Sequence, residues 1–144
     1  MLKRRIIPIQ LLSGDRLLKT RQFDFPRDVG DPVKSSKVYS DNDADELLLL
    51  QIDRSDGAIE NLYSKVLQIG IECFAPLTVG GTVTKPSDAL KLFSAGADKI
   101  VLNSICFRDL GVISSISKFA GSQAIVVSID VKFEKGKYVL YSDG

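Results

Sequence analysis

The chain has 144 residues, 44% of them hydrophobic and 26% charged, with 19 basic against 18 acidic side chains. That balance is an ordinary globular one: no bulk charge argues for nucleic acid or a membrane surface, and no apolar run is long enough to span a bilayer. Histidine is absent altogether, which excludes a histidine general base, a Ser-His or Cys-His nucleophile and any histidine metal ligand, and leaves carboxylates, lysines and backbone dipoles to carry chemistry.

The N-terminal Leu2-Lys-Arg-Arg5 precedes an apolar stretch of about seven residues broken by Pro8 and Gln10. That is too short for a signal peptide or a membrane span, so a cytoplasmic location is expected. Strands are predicted near residues 5–11, 46–52, 76–80, 99–103 and 124–130, each followed by a polar loop. Helices fill the gaps. Asp31-Pro32 and Lys85-Pro86 place proline at a first helical position, a second helix covers about residues 59–69, Gly96 ends a third, and a fourth covers about residues 110–119. Phe133 to Tyr141 reads as a small hairpin. The strands are almost continuously apolar, which suits a parallel sheet covered by helices. Cys73 and Cys106 fall in apolar surroundings without ligand spacing and read as buried free thiols; no metal or cofactor is expected.

An internal repeat sharpens the fold class. Pro32 through Ala44-Asp-Glu-Leu resembles Pro86 through Ala97-Asp-Lys-Ile, with the Ala-Asp pairs 53 positions apart, as if a two-unit βαβα block had been duplicated. A βα repeat without a dinucleotide fingerprint favours a (β/α)8 barrel, which takes about 250 residues. At 144 residues the chain holds about four and a half units, ending in the fifth strand and the hairpin. It is expected to be the amino-terminal part of a barrel in a single domain, or to pair with another chain, and to self-associate through its open edges and uncovered apolar interior.

Two segments carry the candidate chemistry. Leu77-Thr-Val-Gly-Gly-Thr-Val-Thr84 and Ala97-Asp-Lys-Ile-Val-Leu-Asn-Ser104 each run an apolar strand into small or amide residues before a helix. Gly80 and Gly81 free backbone N–H groups to approach an anion, and Asn103 and Ser104 add polar donors, as in a phosphate cradle.

Taken together, Arg5-Ile-Ile-Pro8, Arg16-Leu-Leu-Lys19, Arg27-Asp-Val-Gly-Asp-Pro32, Ala44-Asp-Glu46, Leu77-Thr-Val-Gly-Gly81, Ala95-Gly-Ala-Asp-Lys99 and Val127-Ser-Ile-Asp130 resemble, in order and spacing, the cyclase subunit of imidazole glycerol phosphate synthase. The resemblance implies a (β/α)8 barrel of histidine biosynthesis that joins ammonia, made by a glutaminase subunit docked beneath the barrel, to a phosphorylated nucleotide-like substrate at the top. Gly80, Gly81, Asn103 and Ser104 would hold one substrate phosphate, and Lys19 would reach toward the ligand from the first βα loop. Arg5, Glu46 and Lys99 match members of the charged ring gating the ammonia channel, and Asp98 matches a docking contact for the glutaminase. Strand parity supports the gate, since Arg5 shares a face with Ile7, Ile9 and Leu11, Glu46 with Leu48 and Leu50, and Lys99 with Val101 and Asn103.

The acid/base pattern departs from the family. The family uses one aspartate at the top of each of strands one and five. Asp130 holds the fifth-strand position, but its partner's position is Leu11, Gln51 stands where the family usually carries aspartate, and Gly14-Asp15 reverses the usual order. The expected function is therefore that of a synthase-like subunit with altered chemistry, resembling paralogues encoded with surface-polysaccharide genes that supply ammonia for amidino sugars. The alternatives are an authentic histidine-pathway cyclase subunit, or a noncatalytic phosphate-binding half-barrel that activates a glutaminase.

Overall fold

The computed structural model describes residues 4–21 and 24–141. Leu2 and Lys3 of the basic N-terminal stretch lie outside the described residues. Five strands, β1 (Ile9–Ser13), β4 (Leu47–Gln51), β5 (Leu77–Gly80), β6 (Lys99–Leu102) and β7 (Ile125–Val127), run parallel and adjacent in that order. The helices α1 (Pro32–Asp41), α2 (Ala58–Glu72), α3 (Pro86–Ser94), the single turn α4 (Ile105–Arg108) and α5 (Leu110–Ala120) occupy the connections. The α/β class with parallel strands is the one read from the sequence.

Two further strands, β2 (Arg16–Arg21) and β3 (Asp24–Gly30), add to the β1 edge in antiparallel fashion, giving the order β3-β2-β1-β4-β5-β6-β7. The polar loop expected after the first strand is thus a hairpin. Its cause is local: Gly14 takes φ +52°, a tight two-residue turn closes, and Leu17 and Leu18 then pair with Leu12 and Leu11. Glycine first and aspartate second is the order such a turn uses, so the reversed Gly14-Asp15 pair has a backbone reason. A second hairpin, β8 (Val131–Glu134) with β9 (Lys137–Leu140), follows β7 as expected, closed at its base by Tyr141 N donating to Asp130 O at 2.9 Å.

The first strand begins later than residue 5. Leu48 N bonds Pro8 O at 3.0 Å and Asp45 N bonds Ile6 O at 3.3 Å, so residues 6–8 run beside the start of β4. Pro8 has no N–H to return, and the ladder starts only at Ile9. Three helix starts follow the expected chemistry. Asp31 accepts from Lys34 N at 2.9 Å before Pro32, Asp109 accepts from Gly111 N at 2.8 Å before Leu110, and buried Asp88 accepts from Thr84 N at 3.0 Å and Lys85 N at 3.2 Å around Pro86.

One face of the sheet carries the core. Leu12, Leu47, Leu49, Val79, Ile100 and Leu102 meet Leu62, Val66 and Ile69 of α2, Leu92 of α3 and Ile116 of α5 in one cluster. Fully burying each such side chain contributes about 1.5–3 kcal/mol. Alternation sends Ile9, Leu11, Leu48, Leu50, Val101 and Val126 to the other face, where Ile9 is 62% exposed because no helix among the described residues covers that side. Cys73 is buried and Cys106 half-buried, and both are free thiols whose pKa burial pushes up.

Candidate functional site

Strand parity brings three charged side chains together at the amino ends of the parallel strands. Lys99 Nζ lies 2.9 Å from both carboxylate oxygens of Glu46, Arg5 approaches Glu46 Oε2 at 3.4 Å, and the Thr78 hydroxyl donates to Glu46 Oε1. The Glu46 side chain is only 6% exposed, against 30% for Lys99 and 61% for Arg5. Burial pushes the Glu46 carboxyl up; the Thr78 hydroxyl, the Lys99 ammonium and the Arg5 charge together outweigh it, so its pKa lies below the usual value. The result is an ion cluster on the uncovered face, with Glu46 as its hub. Thr78 was not singled out in the sequence, although it stands two residues before Gly80 and so shares its face.

Asp98 sits beside Lys99 at the same end. One carboxylate oxygen accepts from Leu77 N at 2.7 Å and fixes the start of β5, while the residue itself stays exposed. Next to it lies an apolar groove of about 440 Å³ lined in part by Leu67, Ile71, Phe74 and Ala95, with Phe74 95% exposed.

The carboxyl ends of the strands hold the glycine loop. A Cβ on Gly80 would sit 2.4 Å from Val101 O, and one on Gly81, at φ +109°, would sit 1.9 Å from Gln51 O. Neither position accepts a side chain, and the loop backbone therefore packs directly on β4 and β6. Thr82 Oγ1 and Asn103 Oδ1 are buried there without a hydrogen-bond partner among the described residues. Asp88 already takes the Thr84 and Lys85 N–H groups, so the start of α3 is occupied by its own carboxylate. An incoming anion is left with the Gly81 segment, Asn103 and Ser104, the last standing immediately before α4.

Asp130 follows β7 at this same end and is exposed; the Asn103 carboxamide donates to its Oδ2 at 2.8 Å. The acid candidate and one loop candidate are thus already joined, a link that sequence separation hid. Leu11 lies on β1, at the opposite edge of the parallel set, half-buried between its partners Leu18 and Leu50. Lys19 is on a strand rather than a loop: it is exposed on β2 opposite Arg27 and makes no hydrogen bond to the glycine loop among the described residues. Gln51 is 2% exposed, on the helix-covered face, and its amide donates to Asp53 Oδ2 at 2.5 Å.

A βα-repeat sheet with a glycine-rich loop at its carboxyl ends and an ion cluster at its amino ends is that of an α/β protein of the barrel class. Residues 5–144 match the family described as Histidine biosynthesis protein, and the chain belongs to that family, whose fold is the (β/α)8 barrel. Along its whole length it is 41% identical to imidazole glycerol phosphate synthase subunit HisF of Exiguobacterium sp., covering 56% of that protein. It is 39% identical over its full length to a provisionally named imidazole glycerol phosphate synthase subunit, hisF2, of Campylobacter jejuni, covering 58% of it. It is 38% identical over 92% of its length to the provisionally named hisF2 of Pseudomonas aeruginosa, covering 53% of that protein. The chain therefore spans about half the length of the curated relatives it matches. No helix among the described residues is long and apolar enough to cross a membrane.

Proposed function

We propose that this chain forms the substrate-holding and ammonia-admitting part of an imidazole glycerol phosphate synthase cyclase-like protein whose acid/base chemistry has changed. The observation that carries the reading is a contrast between the two ends. Arg5, Glu46 and Lys99 form an ion cluster on the uncovered face, whereas Leu11, the position that the family resemblance pairs with Asp130, is apolar. Gly80, Gly81, Asn103 and Ser104 hold one phosphate of the substrate, with Lys19 as a further cation. Ammonia from a glutaminase docked near Asp98 and Phe74 passes the Glu46 cluster toward the opposite end. Asp130 remains as one proton carrier without its counterpart, which suits ammonia delivery in a surface-polysaccharide, amidino-sugar pathway of the cytoplasm.

A second reading, an authentic histidine-pathway cyclase subunit, is favoured by the 41% identity to a subunit named HisF. Complementation of a histidine auxotroph with the complete gene separates the two. The first reading expects no growth, with ligand-stimulated glutaminase activity retained; growth at the rate of an authentic cyclase gene overturns it. Leu11→Asp in the complete protein should then raise ammonia-dependent imidazole formation, since one positioned acid or base is worth about 100- to 10,000-fold. The 144-residue chain alone is expected to bind inorganic phosphate without cyclase turnover.

A further inference from the structure

The β2–β3 hairpin has little packing of its own. All of β3 except Gly30 is exposed, and Leu17 is the buried residue of β2. Its placement depends on the Gly14-Asp15 turn, and that turn is held from three sides. The Asp53 carboxylate accepts from Gly14 N at 2.8 Å, the Asn61 carboxamide donates to Gly14 O, and Lys65 pairs with Asp15 at 2.8 Å. Asp53 is the contact that ties the turn to the end of β4, because it also accepts from Ser55 Oγ at 2.6 Å and from the buried Gln51 amide at 2.5 Å. The Ser55 hydroxyl and the Gly14 N–H hold its pKa below the ordinary carboxylate range, so it stays ionised and fully engaged. A carboxylate saturated with donors is a poor proton carrier and a good clamp. Gln51, bonded to this carboxylate by its side chain, lies with its backbone against Gly81 of the glycine loop.

We infer that Asp53 is a positioning residue of the mouth, latching the β1–β2 turn to the end of β4 and thereby setting where the hairpin that carries Lys19 stands relative to the glycine loop. The role in ligand binding rests on the reading that Lys19 and the Gly81 loop serve one phosphorylated ligand. Two measurements test it. Amide exchange of Asp53→Ala should rise about tenfold or more across residues 14–21, the loss expected when a charge-assisted hydrogen bond leaves a local opening, while β4 to β6 keep their protection. Asp53→Asn, which keeps the shape and one acceptor oxygen, should fall between and carries the comparison if the alanine variant fails to fold. Inorganic phosphate binding is then measured for Asp53→Ala, Lys19→Ala and the double variant. The two single losses should be similar and the double no weaker than Lys19→Ala, because both act through one side chain. Unchanged exchange at residues 14–21, or fully additive binding losses, overturns the inference. If Lys19→Ala alone leaves phosphate binding untouched, the reading of Lys19 fails and the exchange result by itself decides on the latch.

Discussion

Lys99→Met is the sharpest probe of the ion cluster, because it removes the charge while keeping most of the side chain's apolar length. Glu46 would remain 6% exposed with only the Thr78 hydroxyl and an Arg5 guanidinium at 3.4 Å that is itself largely in water. Removing one member of a buried pair costs about 3–5 kcal/mol; the 30% exposure of Lys99 reduces this to about 2–3 kcal/mol at pH 7. For a chain of this size the melting temperature should fall by roughly 5–10 °C. The pH dependence gives the stronger test. In the unaltered protein the Glu46 pKa is depressed, so its contribution is present above the ordinary value of 4.5 and is lost as pH falls through the folded value. Without Lys99, burial becomes the winning influence and the folded pKa rises above the ordinary one, so the variant loses stability as pH climbs from there toward 7. The deficit of Lys99→Met, measured by urea unfolding, should therefore shrink steadily on acidification to pH 4. Glu46→Gln leaves two cations that can reach water and should cost about 1 kcal/mol, with a deficit flat from pH 7 down to about 4.5 that shrinks only below it, where the unaltered carboxylate protonates. A Lys99→Met deficit below about 1 kcal/mol, or one independent of pH, would refute the buried-hub argument.

Gly81→Ala should lower stability by at least about 2 kcal/mol, since its Cβ meets Gln51 O at 1.9 Å with φ at +109°; an unchanged thermal melt would show that the loop yields easily. Gln51→Asp places a second carboxylate against Asp53 in a site 2% exposed and should cost about 2–4 kcal/mol at pH 7, with recovery as the new group protonates; equal stability at pH 7 and pH 5 argues against it. Both thiols should label slowly with a disulfide reagent in the native state, Cys106 before the more buried Cys73, and rapidly in denaturant; prompt native labelling of Cys73 contradicts its placement in the core. The chain should self-associate at high concentration through the β3 and β7 edges and the uncovered face bearing Ile9 and Val126, and a strictly monomeric sedimentation profile with cooperative unfolding would count against this.

The sequence by itself determined the repeating part of this protein. Continuous apolar runs such as Leu47 to Leu50 mark strands buried against helices, Pro32 and Pro86 mark helix starts, and period-two alternation in a barrel places Arg5, Glu46 and Lys99 on inward faces. These are local signals, each written within a few residues of what it specifies. The hairpin after β1 was legible only in part: Gly14-Asp15 announces a turn, but the mate of Leu12 is chosen by pairing across it, and β3, almost wholly exposed, has no apolar pattern to announce it. Tertiary structure alone decided the rest. Gly81 must be glycine because the backbone of Gln51, 30 positions earlier, occupies the space of a side chain. Glu46 is held ionised by Thr78 and Lys99, which reach it only through the parallel register of three strands. Asp53 becomes a clamp because parallel pairing of β1 and β4 brings their carboxyl ends together, and Asn103 meets Asp130 because β6 and β7 end side by side. Such contacts join residues tens of positions apart, and their chemistry exists only once the sheet has set the distances.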